Sequence, residues 1–150
     1  MKGPCRVSLG KTLQPKYRFQ NIRDRFEGTG DPNNLGATMV GEVELQTGKI
    51  LRKKSVAAPV FGEGITLVGE KIYQITWQNS TCYVYDKTNL ELLNQFTYTG
   101  EGWGLTYDGK YLIMSDGSEV LTFRDPKTFK EIRKIEAYTC LLYTSDAADD

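Results

Sequence analysis

The sequence contains no histidine, and that absence removes the Ser-His-Asp and Cys-His nucleophile systems together with every His-ligated zinc centre. Cysteine is scarce: Cys5, Cys82 and Cys140 are the three in the chain. None forms a Cys-x-x-Cys spacing, which argues against a zinc knuckle or a redox pair and leaves isolated, mostly buried thiols. Neither sign of charge is in excess, with 19 Lys+Arg against 19 Asp+Glu. Phosphate affinity comes mainly from surplus Lys and Arg, so a dedicated nucleic-acid binder is not expected. No run of about 18 apolar residues occurs, so no membrane-spanning segment is read. Met1-Lys2-Gly3-Pro4 leads into no apolar stretch and does not read as a signal peptide.

Aromatics and glycine are plentiful instead: nine Tyr, six Phe, two Trp and fifteen Gly in 150 residues. That mixture favours twisted strands joined by tight turns, in one domain or part of a larger one. Period-two alternation runs through Lys71-Ile72-Tyr73-Gln74-Ile75-Thr76-Trp77 and Thr81-Cys82-Tyr83-Val84-Tyr85-Asp86, as in half-buried strands. Turn signals follow at Val68–Lys71, Gln78–Ser80, Tyr107–Lys110 and Ser115–Ser118. No stretch carries a helical stripe.

Internal repetition decides the architecture. Gly62-Glu63-Gly64-Ile65-Thr66-Leu67 returns as Gly100-Glu101-Gly102-Trp103-Gly104-Leu105-Thr106, and Gly69-Glu70-Lys71-Ile72-Tyr73 as Asp108-Gly109-Lys110-Tyr111-Leu112. A strand with its polar turn recurs three times, at Gly41–Ile50, Tyr83–Leu92 and Leu121–Phe129. A spacing of roughly 40 residues belongs to propeller blades, and four short strands per repeat make one blade. Two complete blades are expected, over about Phe61–Tyr98 and Gly100–Ala137, after the tail of a third. A plain meander of hairpins is the alternative. Closed propellers have four to eight blades, so 26–139 reads as a partial all-β propeller domain with uncovered terminal faces.

Several of these segments, taken in order, resemble one family: Phe61-Gly62-Glu63-Gly64-Ile65-Thr66, Ile75-Thr76-Trp77-Gln78-Asn79, Gly100-Glu101-Gly102-Trp103-Gly104-Leu105 and Leu112-Ile113-Met114-Ser115-Asp116-Gly117-Ser118. The chain is similar here to the plant and bacterial type of glutaminyl-peptide cyclotransferase, also called glutamine cyclotransferase, a five-bladed propeller. The resemblance is dense over about Gly41–Ala137. Phe26-Glu27-Gly28-Thr29-Gly30 also resembles its first-blade segment, whereas Asp31–Gly36 departs from it. The resemblance implies an acyltransferase that converts the N-terminal glutamine of a peptide or protein to pyroglutamate and releases ammonia. It implies a peptide or protein substrate with N-terminal Gln, a monomeric full-length parent, and a family often secretory or periplasmic. The type is distinct from the zinc-dependent animal enzymes, in keeping with the missing histidines.

The ends read differently. Residues 1–25 form a basic segment with Asp24 as its one acid, without the Thr-Gln-Gly-Leu strand that the family carries. A frameshift, a misassigned start or a genuine basic arm would each explain it. Cys140–Asp150 breaks the blade pattern and reads as the translation of a transposase adapter used in sequencing-library preparation, against a natural acidic tail as the alternative. A chain ending there is expected to be inactive by itself.

Cyclisation without histidine requires a neutral α-amine, attack on the side-chain amide carbon, stabilisation of an oxyanion and a proton for the departing ammonia. One carboxyl group with a pKa near the working pH can carry that proton, and burial beside aromatic rings raises a carboxyl pKa. Glu63, flanked by Phe61 and by glycines, is the candidate; a turn-holding or Lys-paired carboxylate is the bland alternative. The resemblance places Phe61, Glu63 and Trp77 at pocket positions, and Trp103 at a pocket aromatic. Inter-blade packing is the other role for Trp77 and Trp103. Glu101, read as the repeat of Glu63 one blade later, either shares the pocket and touches substrate or is the repeat's structural acid. Gln78-Asn79 and Ser115–Ser118 read as hairpin turns, and Ser115 is a weak nucleophile without a histidine. Acidic residues are dispersed among turns rather than clustered, so no metal or other cofactor is expected, with calcium at a propeller channel a minor alternative. A non-catalytic propeller that binds peptides or proteins through the same mouth is the rival function.

Overall fold

The computed structural model describes residues 25–29, 38–44, 46–56 and 59–137. The basic segment (apart from Arg25), the Asp31–Gly36 departure, Cys5 and the whole of Cys140–Asp150 lie outside them. Eleven strands follow in chain order: β1 (Arg25–Thr29), β2 (Met39–Val43), β3 (Ile50–Ser55), β4 (Gly62–Val68), β5 (Lys71–Thr76), β6 (Thr81–Asp86), β7 (Leu92–Thr97), β8 (Leu105–Tyr107), β9 (Leu112–Ser115), β10 (Val120–Arg124) and β11 (Glu131–Glu136). They form three antiparallel meanders, β1-β2-β3, β4-β5-β6-β7 and β8-β9-β10-β11. The two four-stranded sheets fall within the two repeats read from the sequence. The sheets meet along their first strands, β1 beside β4 and β4 beside β8. Each sheet therefore fans outward from a common inner edge, as propeller blades do when strand twist splays their outer strands.

Packing corrects one expectation. The alternation in β5 and β6 suggests strands with one wet face, yet Ile72 through Thr76 and Cys82 through Tyr85 are all buried. The middle sheet is covered on both sides. Ile72, Tyr83 and Tyr85 pack with Val40, Val56, Val60 and Leu90 toward the first sheet. Tyr73, Ile75, Cys82 and Val84 pack with Leu105, Leu112, Met114 and Phe129 toward the third. The polar members of the alternation are then buried and must find partners: Gln74 donates to Met39 O at 3.2 Å and Thr76 Oγ1 to Thr81 O at 3.0 Å. Cys82 is a free, buried thiol whose ionisation burial pushes well up, consistent with an inert packing role.

One loop recurs at the outer end of every sheet. Its first carbonyl accepts the N–H of the fifth residue, from Gly48 to Glu44 at 2.8 Å, Leu90 to Asp86 at 2.9 Å and Phe129 to Asp125 at 2.7 Å. In the latter two, the Asp carboxylate also caps the turn, Asp86 Oδ1 taking the N–H of Thr88 at 2.7 Å and Asp125 Oδ1 that of Lys127 at 2.8 Å. The fifth residue is left-handed each time, with φ 71° at Gly48, 59° at Leu90 and 58° at Phe129. A left-handed non-Gly residue costs about 1–2 kcal/mol. Leu90 and Phe129 are each 2% exposed, and burying such a side chain contributes about 1.5–3 kcal/mol, so burial offsets the backbone penalty. A bulge follows the same logic in all three copies, between Glu42 and Val43, Val84 and Tyr85, and Phe123 and Arg124. Arg52 ties the first two sheets at the rim: it pairs with Glu42 at 2.5 Å and donates to the carbonyls of Lys87, at 2.6 Å, and Thr88.

Candidate active site

The inner strands carry a second recurring bulge. In the middle sheet Gly62 pairs with Thr76 and Ile65 with Gln74, so Glu63 and Gly64 together oppose Ile75. In the third sheet Leu105 pairs with Met114, Trp103 N–H donates to Ser115 O at 2.9 Å, and Ser115 N–H donates to Gly104 O at 3.0 Å. Trp103 and Gly104 thus oppose Ser115 as Glu63 and Gly64 oppose Ile75. Register makes Trp103 the counterpart of Glu63 and corrects the Gly-Glu-Gly match: Glu101 stands two residues before that position, at the place Phe61 holds one blade earlier. Bulges re-aim side chains at sheet edges, and here Glu63 and Trp103 hold the same bulge position on neighbouring inner edges.

Backbone contacts bind these edges together. Gly64 N–H donates to Trp103 O at 2.8 Å, and a Cβ on Gly64 would lie 2.4 Å from Leu105 N and 2.7 Å from Gly104 C. Only glycine permits that approach. Trp77 N–H donates to Phe61 O at 2.9 Å, and Gly102 N–H donates to Trp77 O at 3.0 Å. The Phe61 ring meets the Trp77 ring edge-on, with centroids 5.9 Å apart and planes at 72°.

Glu101 joins the two indoles. Its Oε2 accepts Nε1–H of Trp77 at 2.9 Å and Nε1–H of Trp103 at 3.0 Å. Trp103 is 50% exposed, so inter-blade burial does not account for its placement. Its ring lies over the backbone of Gly117, where a Cβ would sit 2.8 Å from Cε2 and Cζ2. Gly117 is a contributor the sequence reading missed: the Ser115–Ser118 turn was legible, but its use as a platform for an indole was not. Ser115 Oγ accepts Gly104 N–H at 2.9 Å, a structural use in line with its weak standing as a nucleophile. Asn79 likewise serves its turn, its carbonyl accepting Thr81 Oγ1–H at 2.9 Å.

The two carboxyl groups are pushed in opposite directions. Burial raises Glu63 above the usual carboxylate value, and among the described residues no donor is bonded to it. Hydrogen bonds from Trp103, Trp77 and, more weakly, Gln78 hold Glu101 below that value. Ring contact and hydrogen bonds link Phe61, Trp77, Glu101 and Trp103, and the backbone bond from Gly64 to Trp103 sets the Glu63 segment beside them. Among the described residues no group of three or more His, Cys, Asp or Glu side chains is arranged to hold a metal ion, and no helix is long and apolar enough to cross a membrane.

The profile of one protein family, glutamine cyclotransferase, matches residues 19–140. The chain belongs to the glutamine cyclotransferase family. The glutaminyl-peptide cyclotransferase of Arabidopsis thaliana is 41% identical over 106 residues, which are 70% of this chain and 32% of that protein. The crystal structure of glutaminyl cyclase from Myxococcus xanthus superposes with a TM-score of 0.68 at 27% identity, over 77% of this chain and 47% of the other. The WD40 domain of Neurospora crassa Pan2 superposes with a TM-score of 0.56 at 14% identity, over 65% and 30%, a likeness of fold alone. This glutamine cyclotransferase family chain therefore spans about a third of the Arabidopsis relative and about half of the Myxococcus one.

Proposed function

We propose that the chain supplies the glutamine-cyclising site of a glutaminyl-peptide cyclotransferase built as a five-bladed propeller, of which 26–139 is part. The backbone junction that sets the Glu63-Gly64 bulge against Trp103, next to the Phe61–Trp77 ring pair, supports this reading. The α-amine of an N-terminal glutamine attacks its own side-chain amide carbon. Glu63, ionised, takes a proton from the amine as the ring C–N bond forms, then delivers it to the amide nitrogen as the exocyclic C–N bond breaks. Pyroglutamyl peptide and ammonia leave, and Glu63 ends in its starting state. A carboxyl raised by burial suits both halves of that transfer, since proton transfer is most effective when the carrier's pKa approaches the working pH. Phe61, Trp77 and Trp103 wall the side chain and limit competing hydrolysis.

The test is ammonia release from a Gln-peptide. It is measured on the 150-residue chain and on a chimera of the Arabidopsis relative that carries this chain's matched 106-residue segment. The chimera is expected to cyclise the peptide, and Glu63→Gln to lose roughly a hundredfold or more in kcat, the usual range for a general acid/base. Cyclisation that survives Glu63→Gln sinks the role of Glu63. A chimera that binds Gln-peptide without releasing ammonia favours the non-catalytic binding module.

A further inference from the structure

We propose that Glu101 is a positioning residue that sets the Trp77 and Trp103 indoles as a paired wall of the glutamine pocket, and is neither a second proton carrier nor a direct ligand of the substrate. The wall's use as a glutamine pocket rests on the reading above; the positioning itself does not.

An indole N–H is a donor only, so each ring has a single polar direction to satisfy. Both rings spend it on the same oxygen, Oε2 of Glu101, at 2.9 and 3.0 Å. Trp77 follows the second strand of the middle sheet, whereas Trp103 leads into the first strand of the third. One carboxylate therefore fixes the relative orientation of two rings from different sheets, through bonds strengthened by its charge. The two rings need it unequally. Trp77 also has the Phe61 ring against it and backbone bonds on both sides, while the half-exposed indole of Trp103 has Gly117 beneath it. Register adds that Glu101 is not the repeat of the proton-carrying position. The indole hydrogen bonds on Oε2 hold its carboxyl below the usual value, which makes it a poorer proton acceptor than the raised carboxyl of Glu63. Asp116, the other carboxylate facing it, is tied to Ser118 N–H at 3.1 Å and Ser118 Oγ–H at 2.6 Å.

The chain holds two tryptophans, both in this pair, so their signals report on Glu101 directly. In two-dimensional NMR of the 150-residue chain, both indole N–H resonances are expected to move together on acidification, with one shared midpoint below 4.5, the ordinary carboxylate value. Independent midpoints, or no movement, overturn the proposal without any variant. Tryptophan fluorescence should show the same step, retained in Asp116→Asn and Glu63→Gln and absent in Glu101→Gln; a step that persists in Glu101→Gln overturns it. In the chimera, Glu101→Gln is expected to raise KM roughly tenfold to a hundredfold, the scale of a misplaced pocket wall, and to leave the acid limb of the kcat profile where it was. A shift of that limb makes Glu101 a proton carrier after all. If the chimera proves inactive, the functional reading fails while the indole titration still decides the role of Glu101.

Discussion

Gly64→Ala tests the junction on which the site depends. The new methyl carbon would stand 2.4 Å from Leu105 N, 2.7 Å from Gly104 C and 2.9 Å from Trp103 O, where ordinary contact begins at about 3.4–4 Å. All three atoms are backbone, so no rotamer change makes room and β4 must part from β8 by about 1 Å. Overpacking of this kind costs about 1–3 kcal/mol. Parting the strands also weakens the Gly64 N–H bond to Trp103 O, worth about 1 kcal/mol. The sum is about 2–4 kcal/mol, a fall in melting temperature of about 4–16 °C for a chain of this size. Gly64 does not have a positive φ, so alanine in open space there would instead stabilise by about 0.4–1 kcal/mol. The two mechanisms thus differ in sign. Urea unfolding followed by circular dichroism and tryptophan fluorescence measures the difference. Gly104→Ala is the control: its methyl would meet only Ser115 Oγ, at 2.8 Å, a side-chain end that can rotate away at the expense of its bond from Gly104 N–H, so a loss of about 1 kcal/mol is expected. A neutral or stabilising Gly64→Ala refutes the close approach, and with it the joining of Glu63 to the Trp103 segment.

Stability should also trade against the site's chemistry. The pKa of Glu63 is raised in the folded chain by burial, so its favourable contribution is present below the unfolded value and is lost as pH rises through the folded one. Glu63→Gln should therefore be more stable than the parent at neutral pH, with the gap closing in acid below 4.5; a gap constant across that range refutes the burial argument. At Phe129, 2% exposed with φ 58° and stacked on Phe96 at 5.7 Å, truncation to Ala should cost about 3–5 kcal/mol. Phe129→Gly should then be more stable than Phe129→Ala by about 1 kcal/mol, the reverse of an ordinary strand position, and urea midpoints in the usual order would refute the left-handed loop.

Features that arise from local chemistry or from repetition are legible in the amino-acid order alone. The Asp-initiated loops at Asp86 and Asp125, the turns at Gly69 and Gly117, and the blade period are of this kind, and each stands where the spacing puts it. The five candidate residues stand out as well, through their motifs. Register is not. Matching Gly-Glu-Gly triplets by eye pairs Glu101 with Glu63, but strand pairing and the inner bulge pair Trp103 with Glu63, because hydrogen-bond geometry counts residues across a sheet while a motif counts them along the chain. The signal is present in a different form, Glu63-Gly64-Ile65-Thr66 against Trp103-Gly104-Leu105-Thr106. Burial of both faces of β5 and β6 is likewise invisible in the chain, since alternation in one strand says nothing of how many sheets flank it. Tertiary structure alone separates the two carboxyls: both lie in glycine-flanked motifs, but one is raised by burial with no donor among the described residues and the other faces two indoles brought from different sheets. Composition determined which side chains this stretch can contribute, none of them an imidazole, and the repeat determined the kind of fold. The contact of neighbouring inner strands decided which glutamate is raised by burial and which accepts hydrogen bonds from two indoles.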